Sequence, residues 1–207
     1  MALKHQAVAA RKWRTAVRRI ESHFPVALPP FLFLTDPDRV ADPMAIVPQL
    51  PAGSGMIYRH FGSDDRVEIA QALSRSCAKH EIAFLISADP DLARATKASG
   101  VHWPERKLPE ARRWRGQFAL QTASAHSPDA IRRAGCAGMD AVLVSTVFQS
   151  ASPSAGHPMG PTRLRNLQRH TGVTIYALGG LTSENAGQIA GFAGIASVSG
   201  FADAKSD

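Results

Sequence analysis

IAFLISADP, residues 82–90, joins a run of apolar and branched side chains to a helix-start signal. Such a run is typical of a strand buried on both faces of a parallel sheet. Asp89 before Pro90 then places a capping oxygen just ahead of a proline at the first helical position. The stretch therefore predicts a strand, a turn and a helix, which is the repeating unit of an α/β fold.

The same order of strand and helix recurs along the chain from Phe31 onward. Apolar runs occur at residues 31–34, 56–58, 82–86, 101–103, 118–121, 141–144, 173–178 and 195–198. Strands that alternate with helices in this way predict a single α/β domain, a small (β/α)8 TIM barrel. A doubly wound open sheet is the alternative, and the number and regularity of the strands favour closure.

Local motifs also predict where individual helices begin, end and bury a face. Asp42-Pro43 and Ser127-Pro128 repeat the helix-start motif of Asp89-Pro90, and glycines predict helix ends. These glycines are Gly100, Gly135 and Gly172. Within residues 64–80, one helical stripe is expected to face the core, formed by Val67, Ala70, Leu73 and Cys77.

Length and composition set limits on the class of protein. The chain has 207 residues, of which 44% are hydrophobic and 20% charged, as in globular domains rather than disordered chains. No run approaches the roughly 18 apolar residues of a membrane span, and the N-terminus lacks the apolar stretch of a secretory signal. The only cysteines, Cys77 and Cys136, are too few for a disulfide framework. We therefore expect a cytoplasmic protein without a membrane span.

The net charge of +7 is concentrated near the N-terminus. Residues 1–23 carry one acidic residue, Glu21, against the basic residues Lys4, Arg11, Lys12, Arg14, Arg18 and Arg19. An apolar stripe at helical spacing runs through the same segment, formed by Trp13, Val17, Ile20 and Phe24. Residues 1–30 thus predict a basic amphipathic helix and a Pro-rich connection, ahead of a barrel over residues 31–207. The stripe either docks on the barrel or meets a membrane surface, nucleic acid or a partner.

Glycine-bearing segments follow the seventh and eighth predicted strands. They are Gly179-Gly180 and Ser199-Gly200. Glycine lets backbone N–H groups approach an anion without a Cβ in the way, and phosphate sites in barrels commonly follow these two strands. The segments predict a site for a phosphorylated small molecule, with a simple tight turn at Gly179-Gly180 as the alternative.

From about Phe31 to Ala202 the chain resembles the family of thiamine phosphate synthase and the thiazole tautomerase TenI. The motifs that carry the resemblance are residues 32–35, 98–102 (ASGVH), 124–127 (SAHS), 147–150 (VFQS), 177–181 (ALGGL) and 197–200 (SVSG). The resemblance implies a TIM barrel, a role in thiamine biosynthesis and a phosphorylated thiazole as ligand. It does not extend to the basic N-terminal segment.

The residues that the synthases of this family use on pyrophosphate are largely replaced. The resemblance implies a Gln-Leu-Arg-x-Lys motif, of which Arg59 remains while Ile57 and Phe61 replace the Gln and Lys. It also implies carboxylates for Mg²⁺, and their positions hold Ala88 and Lys107. No cofactor is therefore predicted, because Mg²⁺ is expected only for the synthase branch. Mg²⁺ and positively charged side chains stabilise a pyrophosphate leaving group while its negative charge develops.

Two carboxylates beside these positions have other interpretations. Asp89 precedes Pro90 and is interpreted as a helix cap rather than a ligand. Glu105 is interpreted as a solvated partner of Lys107. A further lysine position of the family, after the sixth strand, falls on Pro153.

The tautomerase branch needs a phosphate site and a proton-moving histidine. The resemblance assigns that role to His126, and an imidazole suits it because its unperturbed pKa lies near 6.5. A histidine that only hydrogen-bonds near Ser127-Pro128 is the alternative. The phosphate and substrate residues expected beside it are Arg59, Ser124, Ser150, Gly179, Gly180, Ser199 and Gly200.

We therefore expect a family member that binds a phosphorylated thiazole, with proton-transfer chemistry of the TenI kind favoured over full synthase chemistry. The resemblance implies an enzyme, either a transferase or a tautomerase. A non-catalytic phosphate-binding or regulatory barrel and a synthase with an altered metal site stay open as alternatives. A homo-oligomer also stays open, and a nucleic-acid partner is not expected, because the second basic and aromatic cluster, residues 103–115, has no recognised motif.

Overall fold

The computed structural model describes residues 2–40, 42–60, 62, 64–152 and 155–201, with side chains from residue 8 onward. Three positions discussed above, Phe61, Pro153 and the end of the predicted barrel at 202–207, lie outside the described residues.

Eight parallel strands form a closed barrel, in which each strand pairs with its neighbours in sequence and β8 pairs with β1. The strands are β1 (Phe31–Leu34), β2 (Gly55–Tyr58), β3 (Ala83–Ser87), β4 (Gly100–Trp103), β5 (Leu120–Ala125), β6 (Ala141–Val144), β7 (Thr174–Ala177) and β8 (Gly194–Ser197). The predicted (β/α)8 barrel is confirmed, and the open sheet is wrong because the register between Leu32 and Ala196 closes the ring.

One helix precedes β1, and further helices lie between strands from β2 to β7. In the described part of the chain these are α1 (Ala2–Glu21), α2 (Arg66–Lys79), α3 (Pro90–Ala95), α4 (Leu108–Ala111), α5 (Pro128–Cys136) and α6 (Gly160–His170). Shorter 3₁₀ turns lie at Pro43–Ala45, Val47–Gln49, Glu105–Lys107, Arg112–Trp114 and Ala186–Gln188. Every strand ends at the same edge of the barrel, so the loops after the strands meet there.

The start motifs begin helices as predicted in two of three places. The Asp89 side chain accepts a hydrogen bond from the Leu92 N–H, and the Ser127 hydroxyl accepts one from the Ala130 N–H. At Asp42 the side chain also accepts from two backbone N–H groups, but only the 3₁₀ turn Pro43–Ala45 follows. A capping motif satisfies free N–H groups without fixing how long the helix continues.

Helix α1 docks its apolar stripe on the barrel. Trp13, Val17, Ile20 and Phe24 are all buried. Trp13 lies edge-on to Phe31 of β1, and Phe24 lies edge-on to Tyr176 of β7. The helix therefore packs along β7, β8 and β1, and its arginines at 11, 14, 18 and 19 remain exposed. Because the stripe is buried, it is not available to a membrane surface. Among the described residues no helix is both long and apolar enough to cross a bilayer.

The fifth strand differs from the prediction. It spans Leu120–Ala125 rather than 118–121, so Ser124 lies inside the strand instead of after it. Its polar side chains are paired by tertiary contacts: Gln121 accepts from the Trp103 indole N–H, and Thr122 and Ser124 contact His102. A strand that buries hydroxyls against a histidine has no apolar run by which the sequence would reveal it.

Two smaller expectations are wrong. Val67 is half exposed, whereas Ala70, Leu73 and Cys77 of the same helix are fully buried. Val67 lies in the first turn of α2. Gly100 begins β4 rather than ending a helix, because a Cβ there would lie 1.7 Å from the Leu120 carbonyl oxygen of the neighbouring strand.

Candidate functional site

A cavity of about 410 Å³ opens at the carboxyl end of the barrel. It is lined by residues in the loops after β6, β7 and β8 and by residues after β1 and β2. Of the residues predicted for the ligand, its lining includes Arg59, Ser150, Gly179, Gly180 and Ser199. The structure thus brings five of the predicted positions to one cavity.

The loops after β6 and β7 touch closely at Gly180. This residue has a φ of +67°, and a Cβ there would lie 2.2 Å from the Gln149 carbonyl oxygen. Backbone N–H groups of Val147 and Phe148 donate to the carbonyls of Leu178 and Gly179. Glycine at 180 is therefore required for the contact between the two loops, in addition to any role with a ligand.

Backbone donors remain along this edge of the cavity. Within the described ranges, the N–H groups of Gly179, Gly180 and Ser199 donate to no protein acceptor. The Gly200 N–H, by contrast, donates to the Ser197 hydroxyl at 2.8 Å, and Gly200 does not line the cavity. Adjacent backbone N–H groups without protein acceptors suit an anion, because each supplies a fixed partial positive charge. We call Gly179, Gly180 and Ser199 the amide cradle.

Arg59 lines the same cavity as the cradle and is held in place by hydrogen bonds. Its Nε donates to the Thr35 carbonyl at 2.9 Å, and its guanidinium pairs with Asp36 at 3.3 Å. Burial lowers the pKa of Arg59, while Asp36 acts in the opposite direction. An arginine nevertheless stays protonated in proteins, so it offers a fixed charge to an anion. Arg39 also lines the cavity and adds a second positive charge.

His126 lies on the rim outside the cavity lining. Its Nδ1 lies 2.9 Å from Glu105 Oε2, which also accepts from the His126 backbone N–H. The other oxygen of Glu105 accepts from Arg133 at 2.7 Å. The imidazole is 64% exposed, so its remaining nitrogen is open to a ligand or to water. Glu105 is therefore engaged by His126 and Arg133, and the interpretation that pairs it with Lys107 is wrong.

Ser124 and His102 form a second polar pair, inside the barrel. The two ring nitrogens of His102 lie 2.9 Å from the Thr122 hydroxyl and 3.0 Å from the Ser124 hydroxyl. Burial, and to a lesser extent Arg59, lower the pKa of His102 to about 3. His102 is therefore neutral at physiological pH, and it orients the half-buried Ser124, which is not part of the cavity lining.

Besides Arg39, sequence reasoning missed three residues that hold parts of the site in place. Thr35 and Asp36 anchor Arg59, and Glu105 orients His126. Thr35 and Asp36 follow the first predicted strand, a position that in a barrel belongs to the site, and this could have identified them. No local pattern links Glu105 to His126, because they lie 21 residues apart and meet only through the pairing of β4 with β5.

The residues present do not fit the Mg²⁺ of the synthase branch. Ala88 and Lys107 offer no carboxylate, and the described residues contain no group of three His, Cys, Asp or Glu side chains placed to hold a metal. Asp89 does not substitute, because one oxygen caps α3 and the other pairs with Arg66 at 2.9 Å. Mg²⁺ prefers an octahedral set of oxygen ligands, which this part of the rim does not supply.

Comparison with known proteins identifies the family. A family model described as thiamine monophosphate synthase, TMP-TENI, matches residues 45–201. The chain belongs to this family. The thiamine-phosphate synthase of Chlorobium luteolum is 32% identical over 182 residues, which cover 84% of this chain and 85% of that protein. The thiamine-phosphate synthase of Chlorobium limicola is also 32% identical, over 84% of this chain and 88% of that protein.

Some family members are longer. A Synechococcus thiamine-phosphate synthase is 34% identical over 60% of this chain, and the match spans 36% of that protein. Among solved structures, a thiamine phosphate pyrophosphorylase from Pyrococcus furiosus superimposes with a TM-score of 0.67 at 20% identity, covering 82% of this chain and 85% of that one. This likeness supports the barrel fold. Membership places the chain among proteins of thiamine biosynthesis.

Proposed function

We propose that the cavity binds a phosphorylated thiazole and that His126 moves a proton on it, as in the tautomerase branch of the family. The amide cradle carries this proposal. Three backbone N–H groups without protein acceptors among the described residues belong to residues that line the same cavity as Arg59 and Arg39. Such donors and positive charges suit a phosphate monoester dianion.

The path from the cradle to His126 runs along neighbouring strands. Ala125 of β5 pairs with Val144 of β6, so His126 and Ser145 are the next residues on adjacent strands. Ser145 lines the cavity. Because neighbouring strands lie roughly 4.8 Å apart, the proposed thiazole ring would extend from a phosphate in the cradle past Ser145 toward His126.

The contact with Glu105 defines what His126 can do. An ionised carboxylate only accepts hydrogen bonds, so the proton of a neutral His126 ring resides on Nδ1. The lone pair of the imidazole is then on Nε2. This nitrogen can accept a proton from the thiazole ring of the ligand and return it to another atom of the thiazole ring. Glu105 acts here as a positioning residue, held in turn by Arg133. General acid–base help of this kind contributes roughly 10²–10⁴ in rate.

His126→Ala tests this role, with His170→Ala as the matched control on an exposed histidine at the end of α6. Isomerisation of a thiazole carboxylate phosphate is followed by NMR, and binding of the ligand is measured separately by calorimetry. We expect His126→Ala to lower the rate by about 10²-fold or more, because the proton acceptor is lost. The dissociation constant should change less than about threefold, because the cradle is intact. The control should match the wild type.

Unchanged turnover in His126→Ala with intact binding would remove the acid–base role and leave a phosphate-binding barrel. Unchanged binding in Ser199→Asp, which places a carboxylate in the cradle, would contradict the phosphate site itself.

The identity to thiamine-phosphate synthases favours a second candidate, a synthase that works without the usual carboxylates. A hydroxymethylpyrimidine pyrophosphate and a thiazole phosphate are incubated with the protein, with and without Mg²⁺, and thiamine phosphate is measured. Formation of thiamine phosphate in either condition would support this candidate over the tautomerase.

A further inference from the structure

A second cavity, of about 440 Å³, lies at the amino end of the barrel. Its lining residues precede or begin strands, from Pro30 ahead of β1 to Leu120 at the start of β5. The amide cradle follows β7 and β8, so the two cavities lie at opposite ends of the barrel. Cavities that bind small molecules usually measure about 300–1,000 Å³, and this cavity falls within that range.

The connection between α1 and β1 forms an apolar wall of this cavity. Residues 24–30 (FPVALPP) all line it, and Val26 is fully exposed. The segment is held in place, because the Tyr176 hydroxyl donates to the Pro29 carbonyl at 2.6 Å. Its three prolines also restrict the backbone. An apolar wall of fixed shape suits the hydrocarbon part of a ligand.

Two carboxylates, those of Glu21 and Glu81, also line the cavity, and both side chains are exposed. Neither forms an ion pair with another residue in the described ranges. No lysine, arginine or histidine is among the described residues of the lining. The charge that the cavity presents is therefore negative.

The positions of the two carboxylates are not explained by the stability of their own helices. Glu21 is the last residue of α1, and Glu81 follows the end of α2 by two residues. The C-terminus of a helix carries a partial negative charge, which favours a cation nearby and disfavours a carboxylate. Positions where the sequence departs from such a local rule are often functional.

Ser54 gives an independent indication of a ligand. It lines the same cavity and is fully buried, and in the described part of the chain its Oγ is the one buried side-chain oxygen or nitrogen without a hydrogen-bond partner. Its backbone N–H donates to the Pro51 carbonyl, and its carbonyl accepts from the Ala83 N–H. The hydroxyl of Ser99, by contrast, accepts from the Phe84 N–H at 3.3 Å. A polar group of a ligand would supply the partner that Ser54 lacks, and a buried hydroxyl without one is unfavourable.

We propose that this amino-end cavity binds a small organic cation. The ammonium group of the cation lies beside Glu21 and Glu81, its apolar body lies against residues 24–30, and a polar group forms a hydrogen bond with Ser54. A metal ion fits less well, because the described residues contain no group of three His, Cys, Asp or Glu side chains placed to hold one. This site does not depend on the proposed function at the carboxyl end.

Three related probes test the proposal by calorimetry. Tyramine carries both an ammonium group and a phenol hydroxyl, phenethylamine lacks the hydroxyl, and 4-ethylphenol lacks the ammonium group. We expect phenethylamine to bind about fivefold more weakly than tyramine, because one hydrogen bond is lost. We expect 4-ethylphenol to bind about tenfold or more weakly than tyramine, because the attraction to the carboxylates is lost.

Variants then assign these differences to residues. The double variant Glu21→Gln with Glu81→Gln should weaken tyramine binding about tenfold, whereas Glu68→Gln, on an exposed glutamate in the first turn of α2, should match the wild type. Ser54→Ala should bind tyramine and phenethylamine equally. Urea unfolding should find free Ser54→Ala at least as stable as the wild type, because its hydroxyl has no partner to lose.

Wild-type affinity for tyramine in the double glutamine variant would overturn the proposal, and so would absence of saturable binding of either amine. Equal affinities of the wild type for phenethylamine and 4-ethylphenol would also overturn it. Sedimentation that shows a dimer in the wild type and a monomer in the double variant would assign the cavity to a second copy of the chain instead. Binding of the phosphorylated thiazole should be unchanged in the double variant, which separates the outcome at this end from that of the proposed function.

Discussion

The two sides of the barrel mouth differ in whether their polar groups have partners inside the protein. On the β7–β8 side, the amide cradle leaves backbone donors without protein acceptors. On the β3–β5 side, Asp89, Glu105 and Arg133 are each paired with a neighbour. Donors without internal partners suit an external anion, whereas carboxylates that are already paired with cations are poor ligands for a metal. Mutations on the two sides can therefore test the proposed phosphate site separately from the paired carboxylates.

Gly180→Ala should produce the largest loss of stability, because it disrupts the contact between the loops after β6 and β7 that supports the cradle. The new Cβ would lie 2.2 Å from the Gln149 carbonyl oxygen, at a φ of +67°. We expect a loss of about 3 kcal/mol in the free energy of unfolding, from the left-handed backbone and the clash together. Urea unfolding measures it, and phosphate affinity should fall with it.

Gly187→Ala is the control for this substitution, because nothing lies within 4 Å of its added Cβ and its φ is not positive. If Gly180→Ala were as stable as Gly187→Ala, the two loops would not be in contact and the cradle would lack its support.

Acid should weaken the fold through His102, beneath the β3–β5 side. Its pKa is about 3 in the folded protein and near 6.5 in an unfolded chain, so the unfolded state binds the proton more readily. Stability is therefore lost as the pH falls from about 6.5 toward 3. Between pH 7 and pH 5 the wild type should lose about 2 kcal/mol more than His102→Gln.

Chemical unfolding at each pH gives this difference in slope, which is independent of any constant destabilisation caused by the substitution itself. His170→Gln, on an exposed histidine, should follow the wild type. Parallel pH profiles of the wild type and His102→Gln would show that His102 takes up protons in the folded state.

The smallest effect concerns Asp89 and distinguishes a cap from a metal ligand. Asp89→Ala removes the hydrogen bond to the Leu92 N–H and should cost about 1 kcal/mol, whereas Asp89→Asn can still cap the helix and should cost less. Asp91→Ala, in the same turn and exposed, serves as the control. Thermal unfolding compares the three. A change in the Mg²⁺ dependence of ligand binding in Asp89→Asn would contradict the assignment as a cap.

Much of the fold could be predicted because it depends on local periodicity. The run at 82–86 and the Asp89-Pro90 start became β3 and α3 almost unchanged. The prediction for the fifth strand is displaced, because the buried Gln121 and Thr122 and the half-buried Ser124 find their hydrogen-bond partners on β4. The spacing of apolar residues predicts which face of a helix or strand is buried. It does not predict hydrogen bonds to residues that are distant in the sequence.

The sequence by itself determined the alternation of strands and helices, the apolar stripe of α1 and the loops predicted to carry the site, because apolar spacing, caps and glycines act within a few residues. The closure of the barrel and the burial of the stripe against it were decided by the tertiary structure. The sequence also determined that Ala88 and Lys107 stand where the family resemblance implies carboxylates. Only the tertiary structure decided that Lys107 reaches the Ala88 carbonyl, that Glu105 orients His126 and that Gly200 is turned away from the cavity. These contacts join residues on different strands, and their geometry exists only once the barrel has closed.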